Sequence, residues 1–526
     1  MFPEFIFINF FIQMDRNLQV RLLYCTKCIL LGFWLVLISK PTSSGQGISN
    51  IWVMGYESGF AGYGGTNIDF YHGYPDTSYV YREMNFRMTS SCISDSLGQL
   101  LFYTNGGYIA NRNNDTMLNG DDINPGNYAN DWKSRGFRIT QGALTIPIPG
   151  NSTGYYLFHE TIYEIEITFM NYIYQPKELY CTKIDMTLDS GKGAVVYKNV
   201  PVISDTLLVG GITACKHANG RDWWLICHRY DSDIWYTLLI TPYGIDGPFV
   251  QHAGPYIYQG GNGQSVFSPD GSKFVRNTAT ENLDIYDFDR CDGLLSNWVH
   301  IDFQDTTNDA GASISPNSRY LYTSEYPRVY QFDLQSTNIG ASIDTIATYD
   351  GFYDPIPLFE TSMYLHHLAN DGKIYINTGT STQWMHIINH PDSAGLACDL
   401  QQHSFKLPTV NAFTIPNYPN FFLGAEGGTI CDSLITGIPG AVPHTEAELF
   451  LFPNPVRNLL YVTTGRSSAF NEIRVFNLFE QIIQAPIHEI QNGAYQEINT
   501  SSLTPGVYLL ELISGKGKAV RRFVKE

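Results

Sequence analysis

Phe267-Ser-Pro-Asp-Gly-Ser-Lys-Phe-Val275 is the stretch that decides how this chain is read. Apolar ends flank a polar centre, and Asp270-Gly271 supplies the positive φ that a tight two-strand turn demands. The theme recurs in Ser94-Asp-Ser-Leu-Gly-Gln-Leu-Leu-Phe-Tyr103, Gly150-Asn-Ser-Thr-Gly-Tyr-Tyr-Leu-Phe158 and His217-Ala-Asn-Gly-Arg-Asp-Trp-Trp-Leu-Ile226. It returns in Ile314-Ser-Pro-Asn-Ser-Arg-Tyr-Leu-Tyr322 and Leu368-Ala-Asn-Asp-Gly-Lys-Ile-Tyr-Ile376. Second halves repeat as well: Ile285-Tyr-Asp-Phe-Asp-Arg-Cys-Asp-Gly293 and Val329-Tyr-Gln-Phe-Asp-Leu334 each set an aromatic-acidic strand end before a turn.

The turns return roughly every 45 to 70 residues, near the length of a propeller blade. No convincing amphipathic helix interrupts them, so radially repeated four-stranded blades account for the pattern better than a sandwich. The fold class is all-β: a β-propeller followed by a small Ig-like β-sandwich. Six hairpins, with Ile51-Trp-Val-Met54 and Thr414-Ile-Pro-Asn-Tyr-Pro-Asn-Phe-Phe-Leu423 at the ends, predict seven blades, with six or eight left open. The two end segments are expected to complete one blade together and close the ring. The boundaries read as a signal region over 1–45, a propeller over 46–432, a Gly/Pro-containing linker over 433–447 and the sandwich over 448–526.

The chain has 526 residues, 44% of them hydrophobic and only 16% charged, with a formal net charge of −18. A packed core is therefore within reach, and an acidic balance argues against a nucleic-acid partner. Cys28-Ile-Leu-Leu-Gly-Phe-Trp-Leu-Val-Leu-Ile38, preceded by Arg16, Arg21 and Lys27, reads as the apolar core of a secretory signal, with Met14 a plausible start. The run is shorter than the roughly 20 residues a membrane span needs. Nine cysteines are present, and removal of the signal takes Cys25 and Cys28. The remaining Cys92, Cys181, Cys215, Cys227, Cys291, Cys398 and Cys431 are odd in number, so at least one stays unpaired, and spacing alone fixes no pairing.

The tail alternates apolar and polar residues at Leu460 and Val462, Ile473 and Val475, and Tyr508, Leu510 and Leu512, the pattern of half-buried strands. It opens with Pro453-Asn454-Pro455, passes the strand Ile473-Arg-Val-Phe-Asn477 and places Leu503, Gly506 and Tyr508 in a Leu-x-x-Gly-x-Tyr pattern. It ends on the basic residues Lys516, Lys518, Arg521, Arg522 and Lys525. This order resembles the type A C-terminal sorting domain of the type IX, or Por, secretion system. One departure is visible: the family has Asp-x-x-Gly after the middle strand, and Asn477-Leu-Phe-Glu480 stands there instead. The resemblance implies export by the signal, outer-membrane transit through the secretion machinery, and release or attachment to surface lipopolysaccharide. The Ser-Pro-Asp-Gly and Asn-Asp-Gly turns resemble those of WD-type, YVTN and related Por-secreted propellers, and Cys215 to Trp224 and Gly261 to Gly271 resemble stretches of the propeller passengers of such exported proteins. That second resemblance implies no activity.

Strong catalytic signatures are missing: the Gly-x-Ser-x-Gly match Gly150-Asn-Ser-Thr-Gly154 falls in one of the repeated hairpin turns, and there is no His-Glu-x-x-His, phosphate loop or dinucleotide fingerprint. Within Asn111 to Asn124, Asp115, Asn119, Asp121 and Asp122 form a weak calcium candidate, because hard cations want several oxygens on a tight turn. The EF-hand pattern fails there, so the plainer reading is a solvated insertion and no cofactor. His217 and His228 flank one hairpin and could approach each other, whereas adjacent His366 and His367 point to opposite faces. His159, Glu160, Asp287, Asp289 and Asp333 could line a channel with carboxylates, although Asp at strand ends more simply caps turns. Trp223-Trp224, Tyr155-Tyr156 and Tyr256 to Tyr258 could stack sugars or peptides, with half of each adjacent pair expected in the core. The leading functional expectation is a secreted or surface-displayed binding module for glycan or protein. A hydrolase with channel carboxylates and a structural matrix protein are the alternatives, and no catalytic residue is assigned.

Overall fold

A computed structural model describes residues 47–168, 171–257, 263–303, 310–429 and 431, and most of 449–525. The signal region lies outside the described residues, as do Tyr258, Pro453, Pro455, Glu480, Lys516 and the whole of the 433–447 linker.

Among the described residues, seven antiparallel sheets follow one another between Ile51 and Ala412. The first two have three strands each: Ile51–Tyr56, Gly64–Asp69 and Asp76–Val80, then Ser91–Ser94, Leu100–Thr104 and Ile109–Asn111. The remaining five are four-stranded, beginning at Ala143, Thr213, Gly263, Gly311 and Met363. The hairpin Tyr163–Thr168 and Asn171–Gln175 is inserted within the third sheet, and the short helix Asn127–Trp132 lies in the connection leading to it. The turns that announced the fold do close hairpins: Phe267 pairs with Phe274 around Asp270-Gly271, whose glycine takes φ +76°.

First strands of successive sheets adjoin one another, and the seventh sheet returns to the first. There Trp52 packs edge-on against His367 and Tyr375, with ring centroids 5.1 and 5.6 Å away. Thr66 and Thr409 hydroxyls meet at 2.6 Å across the same seam. This ring of radially packed sheets is a β-propeller.

The expected shared blade does not form. Ile51–Tyr56 pairs within its own sheet, and Thr414 to Leu423 is not a strand. Pro416 and Pro419 remove two backbone donors from that stretch, which prevents a ladder from propagating. A second expectation also changes. Trp223 and Trp224, like Tyr155 and Tyr156, are all buried rather than half-exposed. Each sheet of the ring is covered on both faces by its neighbours, so alternation places neither ring in water. Tyr256 alone of the pairs named remains clearly exposed.

The tail folds as two four-stranded sheets around Val456, Leu460, Val462, Val475, Ile498, Leu510, Leu512 and Phe523. It is a β-sandwich with its own apolar core.

Candidate functional site

Residues 414–424 leave the seventh sheet and run through the middle of the ring. Asn417 is the hub: its backbone N–H donates to Ser90 O, and its side-chain amide donates to Ala143 O at 3.0 Å and Ile212 O at 2.9 Å. Its Oδ1 accepts from Gln141 Nε2 at 3.1 Å, and the same Nε2 donates to Ser265 O. The Tyr418 hydroxyl donates to Ile51 O at 2.7 Å, Phe421 meets the edge of Trp223, and Asn420 Nδ2 donates to Pro269 O. Gln264 continues the network, donating to His366 O and accepting from the N–H groups of Ala312 and His366. Amide side chains thus satisfy the inner strand ends of the ring and occupy its axis. Gln141, Gln264 and Asn417 are each buried and bonded, as the cost of stranding a polar group requires.

Beyond the axis the segment is clamped. Arg290 donates from Nε to Lys216 O at 3.0 Å and from Nη2 to His217 O and Gly424 O. Its neighbour Cys291 forms a disulfide with Cys431 across a sequence separation of 140. Cys92, Cys181, Cys215, Cys227 and Cys398 are buried free thiols.

A cleft of about 370 Å³, counted with its open mouth, lies between the fourth and fifth sheets. Leu208, Gly210, Gly211, Cys227, His228, Trp235, Gln264, Arg276 and Thr278 are among its lining residues. Glu160 Oε1 accepts from the Gly210 N–H at 2.5 Å behind this wall, and burial pushes its carboxyl up to about 8. His228 stands edge-on to Trp235 with centroids 4.5 Å apart, and burial lowers its imidazole to about 3. Arg276 and Asp284, both buried, face each other at 3.5 Å, and Asp284 also accepts from Trp298 Nε1 and pairs with His300 Nδ1.

The carboxylates named from sequence do not meet. Asp287 pairs with Lys273, Asp333 with Arg319, and Asp289 caps its turn by accepting from Cys291 N at 2.7 Å. His159 is held between Asn124 Oδ1 and Thr182 Oγ1. His217 and His228 sit at opposite ends of Trp223–His228, one beside Asn219 and the other beside Arg229, so they do not approach each other. His366 bonds Ser313 and Ser324 while His367 packs on Trp52 and Tyr418, on opposite faces as expected. Of the calcium candidates, Asp121 pairs with Lys198 at 3.0 Å and Asp122 with Lys133 at 2.8 Å, while the Asp115 carbonyl accepts from Asn111 N. The Asn119 amide donates to Val195 O. Among the described residues no three His, Cys, Asp or Glu side chains group for a metal. Sequence reasoning missed Gln141, Gln264 and Asn417; an amide side chain, whether in a turn or at a strand end, carries no local signal of a long-range role.

In the tail, Asn454 Oδ1 accepts from Val524 N at 2.7 Å, tying the first turn to the last strand. Its backbone exchanges two hydrogen bonds with Gly247 in the outer strand of the fourth sheet. Leu503 is buried, Gly506 opens Gly506–Ser514, and Tyr508 donates to Thr504 O while stacking on Phe523. Lys518, Arg521, Arg522 and Lys525 all lie in the closing strand Gly517–Lys525, with Arg521 exposed and Lys525 buried.

Fold and tail together define an exported propeller that carries its address at the C-terminus. Residues 450–526 match the family described as secretion system C-terminal sorting domain, the tail of Por secretion. The protein is a type IX secretion cargo, secreted and displayed at the cell surface, and its tail engages that machinery. No curated protein matches the chain. Among solved structures it is similar to the β-propeller domain of Swd1 from Myceliophteria thermophila, at 10% identity and TM-score 0.34, over 64% of this chain and 94% of that one. It is also similar to Sqt1 from Chaetomium thermophilum, at 11% identity and TM-score 0.35, over 68% and 88%. A quinonprotein alcohol dehydrogenase-like protein from Bacteroides thetaiotaomicron matches at 11% identity and TM-score 0.33, over 70% and 76%. Such distant likenesses add nothing to what the sheet order shows.

Proposed function

We propose that the protein is a surface binding module, a propeller that holds a glycan or protein partner on its exterior. The observation that carries this reading is the filled axis. Residues 414–424 and the amides of Gln141 and Gln264 take the space where a hydrolytic propeller would gather paired carboxylates. Acid/base hydrolysis needs two such groups facing one substrate. The candidate acids are instead engaged by Lys273, Arg319 and a turn.

Exposed aromatic rings support the same reading. Tyr79 of the first sheet, Tyr71, Tyr74 and Tyr81 in the loops beside it, and Tyr353 before the seventh sheet all present more than half of their surface to water. Rings with a polar tip are apt for glycan or protein contact. Attachment to surface lipopolysaccharide after export belongs to the same proposal. Glycan and protein arrays probed with the secreted protein test it: specific binding is expected, and silence on both sinks it.

A further inference from the structure

The outer strand of the fourth sheet, Gly244–Ile257, carries a β-bulge. Thr237 pairs with Phe249 and Leu239 with Asp246, so Gly247 and Pro248 together stand opposite Leu238. Gly247 takes φ +114°, and a Cβ there would come within 2.8 Å of the Thr237 carbonyl oxygen, so the position requires glycine. The bulge takes Gly247 out of its own ladder and makes its N–H and C=O available to another strand at the sheet edge.

The tail takes that edge. Gly247 N–H donates to Asn454 O at 2.8 Å, and Asn454 N–H donates to Gly247 O at 3.1 Å. The pairing is a single antiparallel bridge and does not spread: two residues on, Val456 gives its N–H to Val524 O inside the tail. Asn454 also joins the bridge to the closing strand, because its Oδ1 accepts from Val524 N at 2.7 Å. That strand, Gly517–Lys525, holds Lys518, Arg521, Arg522 and Lys525. Leu449–Phe452, the edge strand of one tail sheet, lies against the same outer strand of the propeller. An edge strand left open is a template for pairing with other chains, and here the propeller occupies it.

We propose that the bulged outer strand of the fourth sheet is a docking surface for this chain's own sorting tail, a latch of one residue pair that opens when the secretion machinery takes the tail. Two hydrogen bonds of ordinary net worth favour the docked form by roughly ten- to a hundredfold. That is enough to park the tail and small enough for a partner with higher affinity for the undocked tail to shift the balance.

Amide exchange of the purified whole chain, read by mass spectrometry, tests the latch. Pro248 brings no amide, so a short peptide across the bulge reports Gly247 with few others. Gly247 is expected to exchange slowly in the whole chain and about tenfold faster in a chain ending at residue 447, whose propeller keeps its own cores. Equal rates overturn the docking. Solubilised outer membranes from cells that hold the type IX machinery are then added, with membranes from cells lacking it as the control. Gly247 is expected to speed up with the first alone, and slow exchange in the chain bound to them overturns the opening. Gly247→Ala drives a Cβ against Thr237 and is expected to bring the chain to the cell surface severalfold sooner in a pulse-chase. Exchange along the other strands of the fourth sheet shows whether that variant keeps its fold. Display at the wild-type rate from a folded variant overturns the latch's part in export, and if the fold is lost the exchange rates of the unsubstituted chains decide.

Discussion

Gln141 donates to Asn417 across a sequence gap of 276 residues, and this 3.1 Å bond joins the entrance of the third sheet to the segment in the axis. Through the same amide Gln141 also reaches Ser265, so three distant pieces of chain meet in one buried group. Removing one member strands its partners. Asn417→Ala is expected to leave the carbonyls of Ala143 and Ile212 and the amide of Gln141 short of a partner. We expect a loss of about 3 kcal/mol, read as a lower urea midpoint at unchanged slope; a midpoint equal to wild type would remove Asn417 from its place as hub.

The Cys291–Cys431 disulfide closes a loop of 140 residues and fixes the far end of the axis segment. Replacing both cysteines with Ala is expected to cost about 2–4 kcal/mol and to expose the chain after Gly424 to proteases. Thermal melts and limited proteolysis with mass mapping check both. Unchanged cleavage would mean that the Arg290 clamp alone suffices.

Acid should unfold the propeller early. Burial lowers His159, His228, His366 and His386 to about 3 and His367 to about 4. An unfolded histidine titrates near ~6.5, so below that pH the unfolded chain takes up protons that these rings refuse. Their contribution is complete above that value and falls as pH drops toward the folded values. Glu160, raised to about 8, works in the opposite direction between its ordinary value of 4.5 and 8. Five groups against one predict a net loss of about 4 kcal/mol between pH 6.5 and 5.5. Urea titrations across that window measure it, and a flat profile would contradict neutral buried histidines.

Export depends on the tail. Deleting residues 448–526 is expected to leave the passenger folded and trapped in the periplasm, since the sandwich holds its own core. Fractionation and surface labelling decide it, and normal display of the truncated chain would refute the assignment. Tyr508→Ala removes both the bond to Thr504 and the stack on Phe523, and is expected to reduce display severalfold.

The legible parts of this chain were local. Asp270-Gly271 and its equivalents forecast their hairpins because a turn's backbone demand is written in the turn itself. The tail was legible for the same reason, its motif residues falling in the first turn and the closing strands. Thr414 to Leu423 misled because its aromatics suggested a strand while its two prolines and its asparagine served a path through the axis. Trp223 and Trp224 misled because strand alternation assumes one wet face, and a blade between two others has none. His228 was marked in sequence only as a possible neighbour of His217; that it bonds the Arg229 carbonyl and packs on Trp235 depends on the sheet register.

The clamp at Arg290 and Cys291 also decides where mechanical load enters the molecule. A pull transmitted along the chain from the tail reaches Cys431 first, and the covalent bond passes it to the fifth sheet at Cys291. Residues 414–424 lie behind that point and feel none of the tension. The disulfide thus stands at the boundary between the C-terminal address and the propeller it carries, so a load entering from the address side reaches the fifth sheet before the axis segment.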